Sequence, residues 1–253
     1  MGVDLQKASI WKRIAAWIFD LILLCVLATG VAFLLSGLSG YDDFSQKLED
    51  SYAAYETQYG TTFQISSDQY KAMTEEEKSV YDQAYQALIA DDEVVQIYNM
   101  VLNLSLLITT LGIFLAILIL EFIVPLFLKN GQTVGKKIFA IGLVRTDSVQ
   151  MNTMQLFVRT VLGKFTIETM IPVYIVLMLF WGTINLFGLV VLFALLLGQL
   201  ICIGVTKTNS AIHDLLAGTV AVDLPSQKVF RSTQDLIAYT KRVHAERASH
   251  KDY

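Results

Sequence analysis

The chain has 253 residues, of which 54% are hydrophobic and only 17% are charged, and its mean hydropathy is +0.52. Soluble domains carry about a quarter charged residues, so this composition indicates a protein of the lipid bilayer and excludes a disordered chain and a basic nucleic-acid-binding protein. The two cysteines, Cys25 and Cys202, lie inside apolar runs, which excludes a disulfide-stapled secreted domain.

Three apolar blocks predict four membrane helices, since one crossing takes about 20 residues. The first block covers 14–38 and the second covers 102–128. The third, 165–205, is about twice the length of one crossing. Small and polar residues at 181–185, near its middle, predict a reversal between two helices. The sequence therefore predicts an all-α membrane protein with four transmembrane helices.

The positions of lysine and arginine predict which segments face the cytoplasm. Segments 1–13, 129–164 and 206–253 hold 16 of the 19 basic residues, whereas 39–98 holds three. Both termini are therefore predicted to be cytoplasmic, with 39–98 as a helical extracytoplasmic insertion between helices 1 and 2. The predicted organisation is 1–38 for the cytoplasmic N-terminus and helix 1, 39–98 for the insertion, 99–128 for helix 2, 129–164 for a basic cytoplasmic loop, 165–205 for helices 3 and 4, and 206–253 for a cytoplasmic tail with an amphipathic helix.

The insertion, 39–98, is acidic and rich in tyrosine. It holds thirteen acidic residues against three lysines, a local net charge of −10, and eight of the eleven tyrosines. Thr74 followed by Glu77 predicts a capping box, and aromatic residues at helical spacing on both sides predict two helices. We interpret the insertion as a helical hairpin whose tyrosines pack together or on the membrane. The open alternative is an acidic, aromatic docking surface for a partner, or a funnel that collects cations.

Three carboxylates fall inside the predicted membrane helices: Asp20, Glu121 and Glu168. They lie about 9, 10 and 5 Å from the cytoplasmic ends of their apolar runs, at 1.5 Å per residue. Ionisable residues in membrane helices are costly and commonly functional, so these three form a candidate site for a cation or a proton. Pro125 and Pro172 each follow a glutamate by four residues, which frees that glutamate's carbonyl from its helical hydrogen bond. The freed carbonyls either add oxygen ligands or are re-satisfied by neighbouring groups.

Arg13 and Asp20 lie seven residues apart on one face of helix 1, too far apart to pair within the helix. Each is expected to find a partner on another element, because an unpaired charge at this depth is costly. Asp214 is the predicted partner of Arg13, with Arg159 as a competitor for the same carboxylate.

The loops contain no motif that predicts catalysis, a metal site or a cofactor. Gly131, Gly135 and Lys136 belong to the segment Gly-Gln-Thr-Val-Gly-Lys-Lys, which lacks the spacing of a phosphate-binding loop. The three histidines lack metal-ligand spacing. No nucleophile with a paired base is visible, so the chain is not expected to be an enzyme.

A short helix is predicted around His213 and Asp214, between a cap at 209–210 and a helix end at Gly218. His213 is either a pH sensor or a structural residue beside an aspartate. Farther along, 233–248 alternates apolar with basic residues, which predicts an amphipathic helix lying on anionic lipid.

Four separated motifs together resemble the RDD family of bacterial membrane proteins, which is named after one arginine and two aspartates. The motifs are the opening Arg13–Asp20, the loop Gly131–Lys137, the later Arg159, and the closing His213–Thr219. The resemblance covers about 9–38 and 99–223. It implies that the name-giving residues are Arg13, Asp20 and Asp214, with Gly131, Gly135, Lys136, Arg159 and His213 in support. It also implies a multi-pass protein of the bacterial inner, or plasma, membrane.

The resemblance suggests transport, including sodium–proton exchange, but fixes no activity. The first hypothesis is therefore a transporter of a cation or small ligand, with Asp20, Glu121 and Glu168 as titrating ligands for Na⁺ or H⁺. Four helices make a small bundle, so a homo-oligomer is expected in this case. The alternative is a non-catalytic adaptor or regulator of another membrane protein, which it contacts through 39–98 outside or through the basic tail inside. The lipid bilayer is the expected surrounding in both cases, and nucleic acid is not expected as a partner.

Overall fold

The structure, a computed structural model, describes residues 4–128, 130–180, 182 and 186–249. The elements, in chain order, are α1 (Ile10–Ser39), α2 (Tyr41–Tyr59), α3 (Ser67–Ala72), α4 (Glu75–Ala90), α5 (Asp92–Leu128), α6 (Val134–Ile138), β1 (Ile141–Arg145), α7 (Thr153–Leu179), α8 (Leu186–Val205), α9 (Ile212–Ala217), β2 (Thr219–Asp223) and α10 (Thr233–Ser249).

Among these elements, α1, α5, α7 and α8 are long and apolar enough to cross a membrane. This confirms the predicted helical membrane architecture with four candidate spans. Of the reversal predicted at 181–185, only Gly182 lies within the described residues. Its φ of 67° is the left-handed conformation that a turn glycine adopts readily.

Helix α7 begins twelve residues before the predicted apolar run, at Thr153 rather than at 165. Its first turn is polar but well capped, because Asn152 and Gln155 exchange hydrogen bonds between side chain and backbone in a capping box. The consequence is that Arg159 and Lys164, which the sequence places in a loop, lie on a membrane helix.

Residues 28–113 form one compact unit, and the remainder of the chain forms a second. In the first unit, Phe63 makes edge-on ring contacts with Tyr52, Tyr81 and Tyr85, with centroids 5.8–6.4 Å apart. These contacts join α2 to α4, so the tyrosines of the insertion do pack together. The capping box predicted at the start of α4 is confirmed in both of its hydrogen bonds.

Helix α5 begins at Asp92, before the apolar run, and its start is tied to α2. Tyr55 donates a hydrogen bond of 2.9 Å to Asp91, whose other carboxylate oxygen accepts from the backbone N–H of Glu93. Asp91 therefore caps α5 and holds Tyr55 at the same time. This explains why the helix extends beyond its apolar residues.

The second unit contains a small antiparallel sheet that departs from the all-α expectation. Strand β1 pairs with β2, with Leu143 opposite Ala221. The backbone N–H of Ala8 donates to the Ala221 carbonyl at 3.1 Å, so the segment before α1 covers the outer edge of β2. From the sequence, only a basic cytoplasmic loop is predicted over 129–164. Instead, β1 finds a partner about eighty residues away and is buried, with Ile141 and Leu143 in the core.

Helix α10 confirms the helix predicted in the tail. Phe230 contacts Tyr239 with ring centroids 5.3 Å apart, and the Lys228 ammonium lies 3.6 Å from the centre of the Tyr239 ring. This cation–π contact fixes the start of α10 beside the sheet. Contact of α10 with anionic lipid stays a prediction.

Candidate functional site

Asp20 lies on α1, is only 8% exposed, and holds the start of helix α6. One of its carboxylate oxygens accepts a hydrogen bond from the Thr133 hydroxyl, and the other accepts from the backbone N–H of Gly135 at 2.8 Å. Thr133 is also the N-cap of α6. A carboxylate placed at free backbone N–H groups stabilises a helix start, so Asp20 anchors the loop to the membrane helix.

Gly135 is required by this close approach. A Cβ atom at this position would overlap the carbonyl oxygen of Ala16 and lie 2.9 Å from the carboxylate of Asp20. Gly131 has a different reason: its φ of 59° is left-handed, and its missing side chain leaves room for Met151. Gly135 therefore allows the backbone of the loop to contact α1, and Gly131 allows the backbone to turn.

Lys136 lies between two of the three predicted membrane carboxylates. Its ammonium is 3.9 Å from Asp20 Oδ2 and 3.8 Å from Glu121 Oε2. Lys164 of α7 contacts the other oxygen of Glu121. We call Asp20, Glu121, Lys136 and Lys164 the carboxylate–lysine cluster. The structure thus brings Asp20 and Glu121 to one shared cation.

Glu121 is 3% exposed and lies in a stretch of α5, Leu118–Ile123, that widens to π-helical geometry. Its backbone carbonyl, freed by Pro125, accepts a hydrogen bond of 3.0 Å from the Thr160 hydroxyl of α7. Neighbouring groups therefore re-satisfy this carbonyl, as one of the two alternatives expected. The side-chain Oε2 is different: among the described residues it has no hydrogen-bond partner.

The environment of Lys136 changes its acidity. Burial, together with the nearby cations Arg159 and Lys164, lowers the pKa of Lys136 to about 8, against the opposing attraction of Glu121 and Asp20. Lys136 is therefore charged at neutral pH and gives up its proton in mildly alkaline solution.

Asp214 is only 1% exposed, and it pairs with both Arg13 and Arg159, the two arginines that the sequence analysis names. Arg159 Nε donates to Asp214 Oδ1 at 2.9 Å, and Arg13 Nη2 lies 3.7 Å from Oδ2, which confirms the predicted Arg13–Asp214 pair. Arg13 also donates to the backbone carbonyl of Asn209. Burial alone would raise the pKa of Asp214, but Arg159, with His213 and Arg13, holds it well below its ordinary value.

The third predicted carboxylate, Glu168, lies in a separate group. It accepts from the His213 ring Nδ1 at 2.7 Å, from the His213 backbone N–H at 3.0 Å and from Gln199 at 3.2 Å. The oxygen of Gln199 in turn accepts from the backbone N–H of Ile212. We call Arg159, Glu168, His213 and Asp214 the histidine–arginine cluster.

The N-terminal cap predicted for α9 at 209–210 is wrong. The N-cap position is Ala211, whose side chain has no acceptor. The free N–H groups of this helix are bound instead by Glu168 from α7 and Gln199 from α8, a tertiary arrangement that local sequence does not reveal. The helix end at Gly218, with φ 63°, is confirmed.

Three residues that belong to these clusters or bind their members have no role in the sequence analysis: Thr133, Lys164 and Gln199. Thr133 carries a detectable signal, because threonine before a short helix is a common N-cap. Lys164 lies five residues after Arg159, which places both on one side only where a helix has π geometry, as Val158–Met170 does here. Among the residues described, no three or more His, Cys, Asp or Glu side chains come together as a metal-ligand group.

A family model described as the RDD family matches residues 7–218. The chain belongs to the RDD family. No curated protein and no solved structure matches it. In this RDD protein the arginine and the two aspartates that the resemblance identified each connect two elements: Arg13 and Asp214 join α1 to α9, and Asp20 joins α1 to α6.

Proposed function

We propose that this RDD protein is a membrane transporter that exchanges a small cation for protons, and that the ion is held in the carboxylate–lysine cluster. The observation that carries the proposal is the position of the Lys136 ammonium, 3.9 Å from Asp20 and 3.8 Å from Glu121. Ionisable side chains on membrane helices commonly mark ion pathways, and here two carboxylates share one cation.

The chemistry of exchange follows from this sharing. While the Lys136 ammonium lies between Asp20 and Glu121, it neutralises them and leaves little attraction for a second cation. When Lys136 is not charged, the same carboxylates attract a cation from solution. The incoming cation therefore takes the place of the positive charge on Lys136. Because Lys136 loses that charge by releasing a proton, cation binding is linked to proton release.

The condition of Glu121 supports this role. Lys164 engages one carboxylate oxygen, whereas the other, Oε2, is buried without a hydrogen bond among the described residues. Buried polar atoms normally have partners, so an open acceptor is suited to a ligand that comes and goes. The π-helical stretch around Glu121 is consistent with this, since such stretches occur frequently at functional sites.

The setting of the proposal follows from the charge distribution. The basic segments favour cytoplasmic termini. We also propose the bacterial cell membrane as the location, which the resemblance to the RDD family implies. Four membrane helices are few for alternating access, so we propose a homo-oligomer. We propose no enzymatic step, because neither cluster pairs a nucleophile with a base.

Flux measurements in proteoliposomes test the proposal. A cation gradient imposed on vesicles that contain a pH-sensitive dye should move protons with the wild type and fail with Asp20→Asn and Glu121→Gln. Asp147→Asn is the matched control, because Asp147 pairs with Arg145 at the surface. All variants are first compared by size-exclusion profile and melting temperature. Unchanged flux in both cluster variants would overturn the proposal.

An adaptor is the second candidate, favoured by one feature of the insertion. A groove of about 770 Å³ opens on it, lined by aromatic and polar side chains that include Tyr59, Tyr70, Glu75, Asp82 and Gln86. The local charge of −10 suits a basic partner. Neutralising Glu75 and Asp82 separates the candidates: an adaptor loses its co-purifying partner, whereas a transporter keeps its flux.

A further inference from the structure

We infer that His213 is a second proton-binding site, separate from the carboxylate–lysine cluster, and that a proton on its ring breaks a hydrogen bond from Arg159 and loosens α9 from α7. The inference does not depend on transport, because it rests on the hydrogen bonds of the histidine–arginine cluster alone.

The ring nitrogens of His213 face two different partners. Arg159 Nη2 lies 2.7 Å from Nε2, and Glu168 Oε2 lies 2.7 Å from Nδ1. A guanidinium has only donors, so Nε2 must accept the hydrogen bond with its lone pair. The ring proton therefore lies on Nδ1, where it donates to Glu168. The surroundings select a neutral histidine and one of its two tautomers.

A second proton is incompatible with this arrangement. It adds an N–H group at Nε2 that faces the N–H group of Arg159, and it places two positive charges side by side. Arg159 retains its bond of 2.9 Å from Nε to Asp214. Asp214 Oδ2, 3.7 Å from Nε2, is an acceptor close to the new N–H. Protonation therefore exchanges the Arg159–His213 hydrogen bond for a contact between His213 and Asp214.

Protonation cannot move the His213 ring alone, because His213 packs closely against α7. A Cβ atom at Gly163 would lie 2.5 Å from the Cβ of His213 and 2.7 Å from its Cα. The backbone N–H of His213 is also held by Glu168. Since the ring and the backbone of His213 bind the same helix, a new ring position displaces the start of α9.

The charges around His213 set the pH at which this occurs. Arg159 and Glu168 face it from α7, and Asp214 faces it from α9, with Arg13 of α1 behind Asp214. Burial and Arg159 lower the pKa of His213 below its ordinary value, and this outweighs the opposing effect of Asp214 and Glu168. The ring is therefore neutral at pH 7 and binds its proton only in more acidic solution.

Nitrogen-15 NMR of the full chain in lipid nanodiscs tests the protonation state. His244→Gln and His250→Gln in the tail leave the His213 signal for assignment, and His244 in the wild type is the internal control on the exposed helix α10. We expect the Nδ1–H tautomer for His213 at pH 7 and a midpoint below the ordinary histidine value of about 6.5. An Nε2–H tautomer, or a midpoint at or above that ordinary value, would overturn the inference.

Hydrogen exchange of the α9 amides tests the consequence. In the wild type, we expect their protection, corrected for intrinsic exchange rates, to fall by tenfold or more below the His213 midpoint. His213→Gln should remove the pH step, whereas His244→Gln should keep it. A step that persists in His213→Gln, or its absence in the wild type, contradicts the inference. Both measurements are made without flux, so their outcome is independent of the proposed transport.

Discussion

Asp20 on the first membrane helix accepts a hydrogen bond of 2.8 Å from the backbone N–H of Gly135, across 115 residues of sequence. This bond places the loop that follows α5 against α1 and brings Lys136 into the carboxylate–lysine cluster. Asp214, the second aspartate that the family resemblance identifies, makes a corresponding connection through Arg13 and Arg159. Both aspartates are therefore connecting residues before any activity is considered.

Gly135→Ala tests the closeness of loop and helix. The added methyl overlaps the Ala16 carbonyl, so backbone or side chains must shift, and we expect a loss of about 1–3 kcal/mol in the free energy of unfolding. The measurement is unfolding in detergent by denaturant. Gly198→Ala in α8 is the control, since a Cβ atom there meets no atom of the described residues within 4 Å. Equal stability of the Gly135→Ala variant and the wild type would contradict the contact described.

Asp214→Asn tests the buried pairs. The substitution leaves Arg159 and Arg13 without their shared counter-charge at a 1% exposed position, and removal of one partner from a buried pair costs about 3–5 kcal/mol. Asp223→Asn, at the more exposed pair with Lys12, should change the unfolding free energy far less. Similar effects of the two substitutions would mean that Asp214 does not hold the arginines.

Thr160→Val tests the bond to the Glu121 carbonyl. Pro125 leaves that carbonyl without a helical donor, so loss of the hydroxyl leaves a buried acceptor unpaired at a cost of about 1–3 kcal/mol. Pro125→Ala supplies a backbone N–H, so the double variant should recover part of this loss. A double-mutant cycle on unfolding free energies measures the coupling. Strict additivity would show that Thr160 and Pro125 do not act on the same carbonyl.

The acidity of Lys136 gives a pH-dependent prediction. Because its pKa in the folded protein is about 8, below the value of 10.5 for an unperturbed lysine, the unfolded chain binds more protons between these pH values. The free energy of unfolding should therefore rise as the pH increases from 8 to 10.5. Below pH 8 Lys136 is charged in both the folded and the unfolded chain, so it adds no pH dependence to the free energy of unfolding.

Amine labelling followed by mass spectrometry measures the Lys136 pKa itself. The labelling rate of Lys136 should reach half of its maximum near pH 8. The same lysine in the denatured protein is the control, because unfolding removes its partly buried surroundings. Coincident profiles of Lys136 in the folded and denatured protein would contradict the effect of these surroundings.

The membrane helices were predictable because apolar length alone identifies a candidate span. The pairing of Arg13 with Asp214 was also predictable. A charge at that depth needs a partner of opposite charge, and the sequence contains few carboxylates near the same membrane surface. Glu168 shows the limit of this reasoning. Its depth suggested a place beside Asp20 and Glu121, whereas the early start of α7 and its π-helical geometry turn it toward His213.

The β1–β2 sheet and the tertiary cap of α9 could not be predicted from the sequence, for a related reason. Strand β1 is short, and its partner β2 lies some eighty residues away, so no local period reveals the pairing. The cap depends on Glu168 and Gln199, which come from two different membrane helices. Contacts between distant elements decide both features, and residue patterns within one element do not report them.

Proton release on cation binding tests the central claim most directly. Purified protein in weakly buffered detergent at pH 8 should acidify the solution when sodium chloride is added, but not when choline chloride is added at the same ionic strength. Lys136→Arg keeps the positive charge between Asp20 and Glu121 but has no proton to release at this pH, so its signal should vanish. Equal acidification by Lys136→Arg and the wild type, or none by the wild type, would contradict the exchange of a proton for a cation at this cluster.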